Sequence, residues 1–244
     1  MIHSPEKPQI GFDRFIQLDW AESALKIRAG TANLQELIDV LDANHPGAAA
    51  KQKTRTVLNR LWLEPRLGLV DLADRAVGIY LEAPSAPVAA LTWGMAIATY
   101  PFFGNVAQIV GRLTALQGDC ASAEVHRRMA ETYGEREGTR RMTNMVLQSQ
   151  ASWGAIERVE NGKRIQRRTT IALHGSEVAA WLVEASLRFS GRALTVASLD
   201  SSPIIYPFGL GGSISYLLSK SDKLELRADS GGNQIVELAT RRSH

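Results

Sequence analysis

Apolar residues in the first hundred positions recur with the spacing of amphipathic helices. One such helix follows Asn33, a residue that favours the N-cap, and its apolar positions are Leu34, Leu37, Ile38 and Leu41. The same spacing predicts further helices over residues 12–29, 48–63, 67–81 and 88–99. We therefore predict a helical N-terminal domain over residues 1–98, with a linker candidate at the proline-containing residues 84–87.

In the centre of the chain, three helical patterns are followed by a pattern of period two. The three helices are predicted to begin at Asn105, Ser122 and Thr139, which can each cap a helix N-terminus. Strands over residues 155–159 and 164–173 flank an Asn-Gly pair, a strong hairpin signal because both residues tolerate positive φ. Three helices and a two-stranded wing predict a winged helix-turn-helix over residues 99–174.

The tail, residues 175–244, repeats this order on a smaller scale. A helix is predicted over residues 177–190, a short helix over 213–219, and a hairpin over 224–228 and 234–239. We predict a small α/β tail, and a second, degenerate winged unit is one interpretation of it. The fold class of the whole chain is therefore mainly α with small β-hairpins, or α+β.

Composition excludes several classes of protein. With 45% hydrophobic and 22% charged residues, the 244-residue chain is typical of a globular protein. Its longest apolar stretch, residues 88–103, is shorter than the about 20 residues that cross a bilayer, and the first nine residues lack the apolar centre of a secretory signal. The single cysteine, Cys120, excludes an internal disulfide and a cysteine-based zinc site. We predict a cytoplasmic protein without membrane contact.

Positive charge is concentrated in one segment. The net charge is only +3, but residues 122–168 carry ten Arg and Lys against six Asp and Glu, which leaves 18 basic and 19 acidic residues elsewhere. Such clustering is typical of a surface that meets phosphate, although a solvated basic surface has the same composition.

The third central helix has an outer face suited to base edges. Arg141, Asn144 and Gln148 follow at i, i+3, i+7 spacing, with Arg140 and Thr143 beside them. Arginine can donate two hydrogen bonds to guanine, and asparagine and glutamine can pair with adenine in the same way. A merely solvated face is usually mixed in sign, whereas residues 139–153 contain no acid. We therefore predict that this face contacts double-stranded DNA.

Other basic residues are predicted to lie along phosphates. The hairpin supplies Arg158, Lys163, Arg164, Arg167 and Arg168. The second central helix supplies Arg127 and Arg128, where a helix-turn-helix crosses the backbone, although solubility explains these two equally well. Residues 33–63 also fit a helix-turn-helix, whose exposed cations would be Lys51, Lys53 and Arg55.

Several short segments carry a family resemblance. In the N-terminal part they are Lys51-Gln52-Lys53-Thr54-Arg55 and Asn59-Arg60-Leu61; in the centre they are Thr99-Tyr100-Pro101-Phe102-Phe103, Gly111-Arg112-Leu113, Val146-Leu147 and Trp153-Gly154-Ala155-Ile156. In this order of features, over residues 12–156, the chain resembles the BrxA-like proteins of BREX phage-defence systems. The resemblance implies a small, largely helical, non-catalytic DNA-binding component of an anti-phage system, with other defence proteins as partners.

Motifs for catalysis, metals and cofactors are missing from the sequence. The five histidines show no HxxxH or HExxH spacing, and residues 209–213 lack the lysine of a phosphate-binding loop. Asp200 and Glu225 imitate the carboxylates of a metal nuclease, but Arg227 replaces the expected lysine and stays protonated. His126, among basic residues, is predicted to be a neutral surface histidine. We predict no enzymatic activity, no cofactor and no metal.

The leading hypothesis is a non-catalytic binder of double-stranded DNA in a phage-defence system. An ordinary winged-helix transcriptional regulator would use the same domain. A protein-assembly module is the alternative from another class, with four tryptophans as candidate interface anchors: Trp62, Trp93, Trp153 and Trp181. The sequence contains no heptad seam for a dimer, and it leaves the oligomeric state open.

Overall fold

The computed structural model describes residues 11–45, 47–82, 87–218 and 221–239. Over these ranges the fold is mainly helical with small, mostly antiparallel sheets, which confirms the predicted α+β class. The predicted linker at residues 84–87, apart from Pro87, lies outside the described residues, as do the first ten residues and the end of the helix predicted over 213–219. No helix in the described ranges has the length and apolar character needed to cross a bilayer.

In the described residues of the N-terminal part, five α-helices lie close to the predicted ones. They are α1 Leu18–Arg28, α2 Leu34–Asn44, α3 Ala48–Leu58, α4 Val70–Glu82 and α5 Val88–Thr99. Asn33 caps α2 as predicted, because its side chain accepts a hydrogen bond from the Glu36 amide at 3.0 Å. The first helix begins six residues later than predicted, since Phe12 and Ile16 enter the core individually from a segment that is not helical.

Helices α5 and α9 (Ser176–Ser190) form the centre of the core. Both helices are buried around most of their circumference, and α5 accordingly has almost no polar face. Gly94 of α5 lets the helices approach closely, because a Cβ there would lie 2.2 Å from the Trp181 ring of α9. Trp181 in turn donates a hydrogen bond to the Leu72 carbonyl at 2.9 Å. One connected hydrophobic core therefore joins the N-terminal, central and tail parts of the chain.

The central part follows the order helix, strand, helix, helix, strand, strand. Its elements are α6 Pro101–Leu113, β1 Asp119–Ala121, α7 Ser122–Tyr133, α8 Glu137–Ser152, β2 Ile156–Val159 and β3 Arg164–Arg167. The strands form an antiparallel sheet in the order β1-β3-β2, in which Cys120 of β1 pairs with Ile165 of β3. Strand β1 was not predicted, since three residues are too few to show a period.

The three predicted N-caps of the central helices are wrong. Helix α6 begins at Pro101, a residue favoured at the first helical position, and the Asn105 side chain instead donates to the Tyr133 hydroxyl at 2.7 Å. Ser122 lies inside the first turn of α7, and Thr139 lies inside the first turn of α8; both are buried. These polar residues were misassigned because their burial cannot be read from local sequence.

The central hairpin turns where the Asn-Gly pair predicts. Glu160, Asn161 and Gly162 have φ values of 52°, 57° and 82°, the left-handed region that Asn and Gly tolerate best. Strand β3 is shorter than predicted, because the chain leaves the hairpin after Arg167. The next strand, β4 (Ile171–Ala172), pairs in parallel with Phe208–Gly209 of the tail.

The tail contains the predicted helix and hairpin. Its further elements are β5 Leu194–Thr195, α10 Val196–Asp200, β6 Phe208–Gly209, α11 Ile214–Leu218, β7 Leu224–Ala228 and β8 Gln234–Leu238. Strands β5, β7 and β8 form an antiparallel sheet in the order β5-β8-β7. The tail sheet thus has the same strand order as the central sheet.

The four tryptophans proposed as interface anchors are all in the core. Trp62, Trp93, Trp153 and Trp181 are at most 2% exposed, so they cannot anchor a partner on the surface. Trp93 and Trp153 donate their indole N–H groups to the Ile204 and Ile16 carbonyls, each at 2.9 Å. The observation that favoured a protein-assembly module is therefore explained by packing.

Candidate nucleic-acid interface

Helix α8 separates an apolar face from a basic one. Met142, Val146 and Leu147 are buried against the core, which turns Arg140 and Arg141 towards solvent. In the described part of the chain, neither arginine forms an ion pair with a carboxylate. Their charges are therefore available to an anion.

The prediction that Thr143 contacts DNA is wrong. Its side chain is completely buried, and its hydroxyl donates to the Thr139 carbonyl at 2.8 Å, one turn earlier in α8. Thr143 lies next to Met142 and one turn before Val146 and Leu147, so it belongs to the core face of the helix. Asn144 and Gln148 are half-buried at the border between the two faces.

Arg158 of β2 connects the hairpin to α8. Its guanidinium donates a hydrogen bond to the Asn144 side-chain oxygen at 2.8 Å, and it lies close over Gly162, where a Cβ would be 2.8 Å from Nη2. Burial lowers the pKa of Arg158, although an arginine remains charged near neutral pH. Because the Asn144 oxygen already accepts this hydrogen bond, the residue presents its amide N–H groups to a ligand. A hydrogen bond to an acceptor atom of DNA therefore suits Asn144 better than the predicted pairing with adenine through two hydrogen bonds.

A groove of about 530 Å³ lies between α7, α8 and the hairpin turn. We call it the basic groove, because Arg140, Arg141, Arg158 and Lys163 line it against a single carboxylate, that of Glu137. Lys163 is exposed, and in the described ranges its ammonium has no carboxylate partner. The fold thus brings together two predicted residues of α8 and two of the hairpin around one concave surface.

His126 of α7 forms part of the wall of the basic groove. It is half-buried, a correction to the prediction of a surface histidine, and its Nδ1 atom is buried without a hydrogen-bond partner among the described residues. Burial lowers the pKa of His126, and the charges of Arg140 and Arg158 lower it further. His126 was not predicted as a residue of the binding site. The available signal was its place directly after the core residue Val125, which puts it at the edge of the apolar stripe of α7.

The arginines of α7 are exposed but locally compensated. Arg127 and Arg128 both form ion pairs with Glu124, at 2.7 and 2.8 Å, and Arg127 also pairs with Glu131. Hydrogen bonds from the two arginines lower the pKa of Glu124 to about 2, so this carboxylate stays charged. The net potential of this helix surface is therefore smaller than the sequence suggests, which fits the solubility interpretation.

Three of the predicted hairpin cations are engaged elsewhere. Arg164 pairs with Asp119, and Arg168 lies 3.9 Å from Glu157. Arg167 donates to the Tyr206 carbonyl, with its guanidinium 5.2 Å from the centre of the Tyr206 ring. Arg167 therefore connects the hairpin to the tail, and its position does not favour the predicted phosphate contact.

The basic residues of α3 form a separate set. Lys51 pairs with Asp42 of α2 at 2.7 Å, Lys53 is exposed and Arg55 is half-buried. None of them lines the basic groove. The geometry therefore gives no reason to assign them to the same surface as α8.

The residues with nuclease-like spacing do not form one cluster. Asp200 lines a cleft beside residues 209–212, whereas Glu225 lies on β7 and pairs with Arg227 at 2.9 Å. Within the described ranges, no group of three or more His, Cys, Asp or Glu side chains could hold a metal ion.

No protein-family model, no curated protein and no solved structure matches this chain.

Proposed function

We propose that this protein is a non-catalytic, cytoplasmic binder of double-stranded DNA and that residues 99–174 form a winged helix-turn-helix. The order of elements from α6 to β3 supports the proposal, since in winged helices the strand after the first helix pairs with the last strand of the wing. Helix α8, with 16 residues, has a length of about 24 Å, enough to lie in the major groove.

The basic groove is the observation that carries the proposal. Arg140, Arg141 and Lys163 have no carboxylate partner in the described ranges, whereas the arginines of α7 and two of the hairpin, Arg164 and Arg168, are compensated by carboxylates. Cations without an internal partner, on the exposed face of a helix and the adjacent turn, attract the phosphates that flank the major groove. Arg141 and Asn144 would then face base edges, and Lys163 and Arg158 the backbone.

The number of available cations sets the expected salt dependence. Three to four phosphate contacts give a slope of about −2.7 to −3.6 in log affinity against log salt concentration. Between about 50 and 200 mM salt, affinity should therefore fall about 40- to 150-fold. If all cations of residues 122–168 contacted phosphates, affinity would fall about 10³-fold or more over the same salt range. We expect a smaller fall because several of these cations form ion pairs within the protein.

The test is fluorescence anisotropy with a mixed-sequence duplex at these two salt concentrations. We expect the variant R140A/R141A/K163A to lose most of the affinity and most of the salt slope. The matched control R127A/R128A removes two cations that are already paired, so it should keep a slope close to that of the wild type. Absence of duplex binding by the wild-type chain at about 50 mM salt would overturn the proposal.

The biological setting is proposed on the resemblance to BrxA-like proteins over residues 12–156 alone. A defence component should be encoded next to a large ATPase and a methyltransferase, whereas an ordinary transcriptional regulator should not. Other defence proteins are the expected protein partners in the first case, and an isolated gene would favour the regulator.

A further inference from the structure

His126 lies in the wall between two grooves. On one side is the basic groove, and on the other a groove between α7 and the start of α8 that contains Arg127, Glu131, Glu135 and Arg136. Glu137 and Arg140 line both grooves, so three acids oppose three bases in this second groove, and Arg127 is paired with Glu131. The unbalanced charge that acts on the imidazole therefore comes from the basic groove.

Five charged groups from other elements line the basic groove with His126. They are Arg140, Arg141 and Glu137 of α8, Arg158 of β2 and Lys163 of the hairpin turn. Four of these groups are cations, and Arg140 and Arg158 act on the ring electrostatically. The buried Nδ1 atom has no hydrogen-bond acceptor among the described residues. The free protein thus supplies cations around this imidazole and no bonded anion to stabilise its charged form.

From this geometry we infer that the basic groove binds a backbone phosphate of the duplex and that His126 takes up a proton when the phosphate binds. The inference rests on the proposed function, which it deepens by assigning a phosphate subsite and a proton. It makes duplex affinity depend on pH through one residue.

Phosphate binding changes the electrostatic environment of the His126 imidazole. Without DNA, burial and the neighbouring arginines keep the imidazole neutral near pH 7, because they lower its pKa. A phosphodiester brings one negative charge to Arg140, Arg158 and Lys163, and its oxygen can accept a hydrogen bond from the imidazolium. The proton comes from solvent, no covalent bond changes, and the complex holds one more proton than the separated molecules.

The direction of the pH dependence follows from the linkage between protonation of His126 and duplex binding. Because the pKa of His126 is higher in the complex than in the free protein, the gain in affinity is complete below the pKa of the free protein. It disappears as the pH rises through the pKa of the complex. Between these two pKa values, affinity should change by up to about tenfold per pH unit.

The experiment measures duplex affinity from about pH 5.5 to 8 at constant ionic strength for wild type, H126Q and H174Q. His174 is exposed and follows β4, so it offers a matched control. We expect wild type and H174Q to bind more weakly as the pH rises, and H126Q to show a much flatter profile. A thermal unfolding scan establishes that H126Q is folded at each pH.

A second measurement on the wild-type protein avoids any effect of substitution on folding. The ring signals of His126 are titrated by NMR with and without the duplex, and the pKa should be higher in the complex. An unchanged pH profile in H126Q, or an unchanged pKa of His126 in the complex, would overturn the inference while leaving DNA binding intact. Failure of the wild type to bind the duplex at any pH would overturn the proposed function instead.

Discussion

The centre of the chain and its tail contain the same order of elements at different sizes. In the centre, α6, β1, α7, α8, β2 and β3 follow one another. In the tail, α9, β5, α10, α11, β7 and β8 come in the same order, with the two-residue strand β6 inserted between α10 and α11. Both sheets place the last strand between the other two, in the orders β1-β3-β2 and β5-β8-β7. The interpretation of the tail as a second winged unit is consistent with this shared topology.

The two units differ where DNA would be read. The third helix of the centre, α8, has 16 residues, whereas its counterpart α11 has five and carries no charged side chain. Residues 176–239 contain five Arg and Lys against seven Asp and Glu, so the tail is acidic where the centre is basic. A helix of about 7.5 Å cannot run along a major groove, and an acidic unit is repelled by phosphate.

The first helix of each unit shows what the tail does instead. Helix α6 has an exposed side, but α9 is buried against α5 and even places a carboxylate, Glu184, in the interior. The Glu184 side chain accepts hydrogen bonds from Arg75 of α4 at 2.7 Å and from Arg188 at 2.9 Å. Under the proposed function, this order of elements would bind DNA in the central unit and support the core in the tail, and charge and helix length would decide between the two roles.

The largest expected effect tests the supporting role of the tail. E184A leaves Arg75 and Arg188 facing an empty site, and removal of one partner from a buried ion pair costs about 3–5 kcal/mol. We expect the lower end, about 3 kcal/mol, because the two arginines are partly exposed. Chemical denaturation measures the loss. The control E177A removes an exposed carboxylate from the first turn of the same helix and should cost less than about 1 kcal/mol.

A smaller effect tests whether the centre binds through its charge. Glu137 is the carboxylate in the basic groove, so E137Q should raise duplex affinity by about two- to fivefold, as expected for one exposed charge near a phosphate. Stability should fall by less than about 1 kcal/mol, since Glu137 lies in the first turn of α8. The control is E135Q, because Glu135 lines only the second groove, between α7 and the start of α8. Equal gains in E137Q and E135Q would mean that net charge, and not the groove, determines affinity.

Sequence predicted the fold class and the larger elements because their signals are local. The Asn33 cap, the Asn-Gly turn and the alternation of β7 and β8 each depend on neighbours within a few residues. Strand β1 and the pairing of Ile171 with Phe208 could not be predicted, because they are very short and depend on distant partners. Pairing over such separations follows from the packed core and not from periodicity.

The candidate site was predicted less well for the same reason. Helical spacing found Arg140 and Arg141, whose side chains have no internal partner in the described ranges. It could not show that Arg164 is held by Asp119 or Arg167 by the Tyr206 carbonyl, since these partners lie far away in sequence. The net charge of residues 122–168 therefore overestimated the number of cations without a partner. Only the ion pairs and hydrogen bonds of the folded chain show that the unpaired cations lie in the basic groove.

The smallest expected effect separates the two faces of α8. T143V keeps the buried volume of Thr143 and removes its hydrogen bond to the Thr139 carbonyl, so stability should fall by about 1 kcal/mol. Duplex affinity should stay within about twofold of wild type, because a completely buried side chain cannot reach DNA.

The comparison variant is N144A, because Asn144 lies at the outer border of the same helix. This substitution removes the hydrogen bond that holds Arg158 and the amide that would contact DNA, so it should weaken binding severalfold at little cost in stability. Anisotropy and denaturation on both variants measure the two quantities. If T143V weakened binding as much as N144A, the division of α8 into a core face and a DNA face would be wrong, and the central unit would differ from the tail in charge alone.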